Sequence, residues 1–248
     1  MNNPPRRFLT AGWHHLVMLN FEVDPTLVAQ FVPAGTEIDF FQGRTYLSVV
    51  GFRFLNTRLL GVPIPFHRDF DEVNLRCYVK RTVNGQTRRG VTFIRELVPR
   101  RMVAFVANRI YNENYLHLPM RSRIVLPQNG SAGRTTYEWR HGAIWHRLSA
   151  DIAGAPLHPA PGSEPEFITE HYWGYTRQRD GGTLEYQVEH PPWRVWTAVN
   201  AELECDVAAL YGSEFAPFLC KPPTSAFVAD GSEVIVRRGV RLGYPDLL

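Results

Sequence analysis

Lysine is almost missing from this chain: Lys80 and Lys221 are the only two in 248 residues. Positive charge is carried by arginine, whose guanidinium stays protonated and cannot form an imine. Cysteine is equally scarce. Cys77, Cys205 and Cys220 are far apart, odd in number and make no C-x-x-C pair, which argues against a disulfide framework and a zinc ribbon. No apolar run reaches the length of a membrane span, and the opening MNNPPRRFLTAGWHH has no signal-peptide core. The expectation is a reducing cytoplasm and no membrane partner. The sequence also lacks a G-x-S-x-G elbow, a P-loop, a G-x-G-x-x-G turn and an H-E-x-x-H pair. Nine histidines invite a metal reading that their spacing does not support. His14 and His15 are adjacent and point to opposite faces of a strand, and His141 and His146 lie across a Gly142 turn. No metal and no cofactor is expected.

The arginines are spread from Arg6 to Arg241 rather than clustered, although the net charge is +3, so no nucleic-acid partner is expected. The length fits one β-rich domain, which buries roughly 70–75% of its unfolded surface and needs no staple. With no repeat or long linker, residues 1–248 read as a single domain.

Turn signals recur closely at Gln42-Gly43, Asn84-Gly85, Asn129-Gly130, Asp180-Gly181-Gly182 and Asp230-Gly231. Between them lie short runs rich in Val, Thr, Phe, Tyr and Trp. These predict strands at 13–21, 45–54, 72–81, 90–98, 102–108, 121–126, 134–140, 143–150, 183–190, 193–200, 224–229 and 233–238. Three helices are expected. Asp24-Pro25 opens one that ends before Pro33, and the capping box from Ser163 to Glu166 opens another carrying Phe167, Ile168, His171, Tyr172 and Tyr175. Asn200 caps the third, closed by Gly212. The class is α+β: a mainly antiparallel, closed β-barrel-like domain with about three peripheral helices.

Two segments carry candidate chemistry. In FDEVNLRCYVK, strand alternation sets Glu72, Asn74, Arg76 and Tyr78 on one face and Val73, Leu75, Cys77 and Val79 on the other. A solvent face and a polar-lined interior alternate alike, so periodicity leaves both open. In ANRIYNENYLHLPMRSRI, Arg109, Tyr111, His117 and Arg121 are candidate ligand contacts, and Leu118-Pro119 sets an extended entry to the next strand. A lone histidine such as His117 is more often structural than basic.

Taken in order, VDPTLVAQFVPAGTEIDFFQGRTYLSVVGF, FDEVNLRCYVKR, RRGVTFIREL, NRIYNENYLHLPM, FITEHYWGYT and VEHPPWRVWTA resemble the YqjF-like family of uncharacterised bacterial proteins. That family looks like a branch of the acetoacetate decarboxylase-like superfamily, which implies a closed antiparallel barrel around a central cavity. The resemblance places Glu72 at a glutamate that lines the cavity in those enzymes. It sets Leu118-Pro119-Met120-Arg121 against their Phe-Pro-Lys-Lys signature, so Met120 stands where the imine-forming lysine would be and Arg121 where its neighbour would be. It also sets Glu22 against an arginine those enzymes use. A thioether forms no imine, so the decarboxylase reaction is not expected to carry over.

Two functions remain open. One is a lyase- or isomerase-type enzyme on a small carbonyl or carboxylate compound, with Glu72 as general acid or base. Ligand contacts would come from Asn74, Arg76, Arg109, Tyr111, His117, Met120 and Arg121. The other is a non-catalytic small-molecule binding protein. The resemblance implies a homo-oligomer.

Overall fold

The computed structural model of the chain describes residues 5–110, 112–128 and 130–243. In chain order the strands are β1 (Arg7–Val23), β2 (Glu37–Ile38), β3 (Thr45–Leu59), β4 (Val62–Pro63), β5 (Phe70–Val83), β6 (Gln86–Val98), β7 (Tyr115–His117) and β8 (Met120–Val125). They continue with β9 (Gly133–His141), β10 (Ile144–Ile152), β11 (Trp173–Arg177), β12 (Thr183–Glu189), β13 (Val195–Glu204), β14 (Ser225–Arg237) and β15 (Val240–Arg241). Short helices punctuate them: α1 (Pro25–Ala29), α2 (Arg101–Ile110), α3 (Glu164–Thr169), α4 (Val207–Leu210) and α5 (Ala216–Leu219), with a 3-10 turn at Ser213–Phe215.

The strands join one sheet in the order β15-β12-β11-β6-β5-β3-β1-β14-β13-β10-β9-β8. Most neighbours are antiparallel, while β11 and β7 run parallel to β6. Val188 and Glu189 of β12 also pair with Val236 and Ile235 of β14. The hydrogen-bonded path from β12 through β6, β5, β3 and β1 to β14 therefore returns to its starting strand.

Alternation sorts the central strands onto two buried faces. Val17, Leu19, Leu47, Val49, Val73, Leu75 and Cys77 pack with Tyr137, Trp139 and Leu148 of the β9–β10 hairpin. Leu16, Met18, Val50, Phe52, Phe54, Phe70 and Tyr78 pack with Val91, Phe167 and Trp193 on the other face. This second face is the one that carries Glu72.

Several elements depart from expectation. The segment 102–108, read as a strand, lies in α2, because Val103, Ala104 and Ala107 turn inward at helical spacing while Met102 and Phe105 stay exposed. The helix expected from Asn200 is mostly β13, where Ala201 and Leu203 alternate with exposed Glu202 and Glu204 and pair with β10. Only after Asp206, whose carboxylate accepts from the Ala209 amide at 3.0 Å, does α4 begin. The Ser163 cap is present, but α3 stops at Thr169, and Tyr175 belongs to β11. Runs 224–229 and 233–238 form one strand. Gly231 is a kink inside it at φ +80°, so close to Trp13 that any Cβ would strike that carbonyl. The Asn129 of one expected turn lies outside the described residues.

Gly174 of β11 faces Tyr186 of β12, and a Cβ built there would fall inside the tyrosine ring. Gly174→Ala is expected to destabilise the fold by about 1–3 kcal/mol through this overpacking, measured by urea unfolding. An unchanged midpoint would show that Tyr186 moves freely.

Candidate functional site

The face that carries Glu72 opens onto a pocket of about 390 Å³. Its walls are largely aromatic and aliphatic, with Trp13, Phe52, Phe54, Phe70, Phe93, Trp173 and Trp193 among them. Helix α2 contributes Met102, Val103 and Ala107. Such a wall excludes water and raises the energy of any charge placed beside it.

Three carboxylates stand in this wall: Glu72 from β5, Glu96 from β6 and Glu113 just before β7. Glu72 and Glu96 are each only 2% exposed. Glu72 accepts from Asn74 Nδ2 at 3.0 Å on one oxygen and from the Tyr115 hydroxyl at 3.1 Å on the other. Glu113 Oε1 accepts from Thr176 Oγ1 at 2.7 Å and from the Tyr186 hydroxyl at 3.1 Å. The charges of Glu113 and Glu72 both act on Glu96. Glu96 Oε2 is buried with no hydrogen-bond partner. None of the three makes an ion pair among the described residues.

Local structure explains how they meet. The β5–β6 hairpin runs in register from Val83 opposite Gln86 to Arg76 opposite Phe93, then slips by one residue at Leu75 opposite Arg95. The bulge sets Glu96, rather than Arg95, opposite Asn74 and so onto the Glu72 face. Tyr115 is held by Asn108 of α2, whose side chain donates to the Tyr115 carbonyl at 3.0 Å and accepts from its amide at 2.8 Å. Tyr186 reaches Glu113 by lying across the bare Gly174.

Burial dominates the acid–base behaviour of this group. It lifts Glu72 and Glu113 to about 7, offset only in part by their hydrogen bonds. Burial, then the charges of Glu113 and Glu72, push Glu96 well above the usual carboxylate range. The protons belong to the group as a whole.

A second polar wall carries Arg76, His171 and His190. Arg76 donates to the Ile168 carbonyl at 3.4 Å and sits 5.5 Å from the Tyr78 ring centroid. His171 Nε2 contacts Asp39 Oδ2 at 3.2 Å, and Arg89 Nε donates to the same oxygen at 2.7 Å. Asp39 is held below its usual value by these two hydrogen bonds against the opposing effect of burial, and burial takes His171 down to about 4. The imidazole is thus neutral at pH 7, with Nε2 as the donor.

Of the residues expected from sequence, Glu72, Asn74 and Arg76 line this pocket. Arg109 does not; it lines a separate surface cleft with Arg179, Asp180 and Arg241. His117, Met120 and Arg121 are also absent from the pocket wall. Met120 opens β8 opposite Trp139, and Arg121 is exposed and bound to Glu138 at 2.6 Å, because β8 pairs with the β9–β10 hairpin. Glu22 pairs with Arg44 at 3.8 Å, outside the pocket. Tyr111 lies outside the described residues. Lys80 reaches Glu37 at 3.8 Å and Lys221 is exposed, and neither lines the pocket. Sequence reasoning missed Glu96, Glu113, Tyr115 and His171. Glu113 and Tyr115 stood inside a segment already singled out, whereas no periodicity marked the others.

The fold is that of the acetoacetate decarboxylase-like proteins. It superposes on acetoacetate decarboxylase from Legionella pneumophila with a TM-score of 0.64 at 13% identity, covering 98% of this chain and 90% of that one. The enduracididine biosynthesis enzyme MppR, complexed with pyruvate, gives 0.64 at 14% identity over 98% and 92%. An acetoacetate decarboxylase-like enzyme from Sphingomonas wittichii RW1 gives 0.61 at 13% over 96% and 94%. Within that fold the chain belongs to the DUF2071 family, described as an uncharacterized conserved protein, whose model matches residues 10–233. It is 29% identical over 199 residues to the uncharacterized protein YqjF of Bacillus subtilis (strain 168), covering 79% of this chain and 76% of that protein. Among the described residues no helix is long and apolar enough to cross a membrane.

A carboxyl whose pKa rises on folding gains a proton as the chain folds. Its contribution favours the folded state below its unfolded value and is lost as pH rises through the folded one. For Glu72 that window runs from 4.5 to about 7. The stability of Glu72→Gln relative to the parent protein is therefore expected to improve from about pH 5 to about pH 7 and to level off above that. Urea unfolding across that range tests this, and a difference independent of pH would contradict it.

Proposed function

We propose that this chain is a general acid–base enzyme of the lyase or isomerase kind, acting on a small carbonyl compound without a Schiff-base lysine. In this reading the pocket is the central cavity of a single, closed, barrel-like domain. The observation that carries the proposal is Glu72: buried in an apolar wall, fixed through both oxygens, and poised near neutral pH. A carboxyl with that pKa is present in both protonation states at pH 7, as proton transfer in each direction requires.

The chemistry follows from placement. Ionised Glu72 removes a proton α to the substrate carbonyl, and a protonated neighbouring carboxyl hydrogen-bonds the developing enolate oxygen. Arg76 holds a carboxylate where the substrate has one. Pyruvate in the MppR complex shows that the shared fold accommodates a small keto acid, which supports this substrate class. The protein would work in the cytoplasm as a homo-oligomer, with no nucleic-acid partner.

A second reading, a binding protein for a small and mostly apolar ligand, draws support from the absence of lysine in the pocket wall. A screen of keto and hydroxy acids separates the two. For an enzyme, Glu72→Gln should lower kcat by a factor of about 100 to 10,000 with the near-UV circular dichroism unchanged. For a binding protein no turnover appears, and the same change alters affinity alone. Borohydride trapping with a β-keto acid should leave Lys80 and Lys221 without a mass adduct; an adduct on either would overturn the lysine-free mechanism.

A further inference from the structure

We infer that the molecule this pocket takes carries a basic nitrogen, an apolar or aromatic amine whose ammonium group sits among Glu72, Glu96 and Glu113. The inference rests on reading the pocket as a ligand site and narrows its substrate class to amino-carbonyl compounds.

Two buried carboxylates, Glu72 and Glu96, and the half-buried Glu113 stand in the wall of one largely apolar pocket, and among the described residues none of the three makes an ion pair. Glu96 is only 2% exposed, yet its Oε2 has no hydrogen-bond partner. A buried acceptor without a partner is costly, and because Glu96 lines the pocket, a donor carried in by a ligand would offset that cost. The one arginine in the pocket wall does not fill this role. Arg76 donates to Ile168 and lies against Tyr78, so its guanidinium is engaged on the second polar wall. A metal ion is a poor occupant: no group of three or more His, Cys, Asp or Glu among the described residues has metal-holding geometry. An ammonium group fits better. It has three donors and no acceptor, and the pocket wall beside Glu72 and Glu113 includes Tyr115 and Tyr186, aromatic rings of the kind that attract a cation.

The groups that face this end are Glu72, Asn74 and Arg76 from β5, Glu96 from β6, Glu113 from the segment before β7, Tyr115 from β7, Thr176 from β11 and Tyr186 from β12. Of these Glu72 and Glu113, both lifted to about 7, change charge between pH 5.5 and pH 8. An ammonium prefers them ionised, so its affinity rises with pH. A neutral carbonyl oxygen prefers a protonated carboxyl as donor, so its affinity falls with pH. The sign of the dependence separates the two ligands.

The test compares 2-phenylethylamine, 2-phenylethanol and 4-phenylbutan-2-one, using quenching of tryptophan fluorescence and calorimetry. At pH 8 the amine should bind at least about tenfold more tightly than the alcohol. At pH 5.5 that preference should vanish. Glu96→Gln and, separately, Glu113→Gln should each weaken the amine about tenfold and leave the alcohol unchanged. If the ketone or alcohol binds at least as tightly as the amine at pH 8, the inference fails while the pocket reading stands. If none of the three binds at millimolar concentration, both fail.

Discussion

Desolvation of carboxylates is the constraint around which this molecule is organised. An ionised carboxylate in an apolar wall is strongly disfavoured unless protons, hydrogen bonds or a cation offset the loss of water. Here the described part of the chain provides the first two. Asn74, Tyr115, Thr176 and Tyr186 donate to Glu72 and Glu113, and burial beside these carboxyls holds Glu96 well above the usual carboxylate range, which favours its protonated form. Each donor comes from a different strand, so the polar network needs the surrounding sheet to be assembled before any of it is satisfied.

That dependence explains features that otherwise look incidental. The bulge in the β5–β6 hairpin turns Glu96 inward, the bare Gly174 lets Tyr186 reach across β11, and Asn108 fixes the short parallel strand that presents Tyr115. Elsewhere charges are treated conventionally. Arg81 and Arg88 bracket Glu185, Arg89 and His171 share Asp39, and Arg237 grips Glu189 through two nitrogens. Those paired sites contrast with the acidic group of the pocket wall, whose three carboxyls make no ion pair among the described residues.

Much of the architecture could be read from period-two patterning and turn chemistry. The face carrying Glu72, Asn74 and Arg76 follows directly from alternation, and the Asn84-Gly85 turn does join β5 to β6. What escaped depended on tertiary context. Extrapolating that hairpin without a bulge puts Arg95 beside Asn74, so Glu96 was invisible to periodicity. Helix α2 is rich in Val and Phe and reads as a strand locally, yet three inward residues at helical spacing decide its form. The opposite error, a helix read into β13, arose because AELEC has strong helix propensity while its pairing partner lies some fifty residues away in β10. Met120 was assigned by resemblance and Arg121 by its segment as well, and neither could show that β8 faces the β9–β10 hairpin rather than the pocket.

The pairing of β1 with β14 has a consequence for how the protein is made. Arg7 lies opposite Arg237, and Leu19 opposite Ala226, so the second strand seat beside β1 is filled by chain synthesised more than two hundred residues later. During translation β1 and β3 can zip together early, but one edge of β1 must wait, exposed, until β14 leaves the ribosome. The acidic network waits with it, since β12 is seated against β14. Assembly is therefore vectorial. The emerging chain passes through a stage with an open, largely apolar edge, a form exposed to wrong pairing.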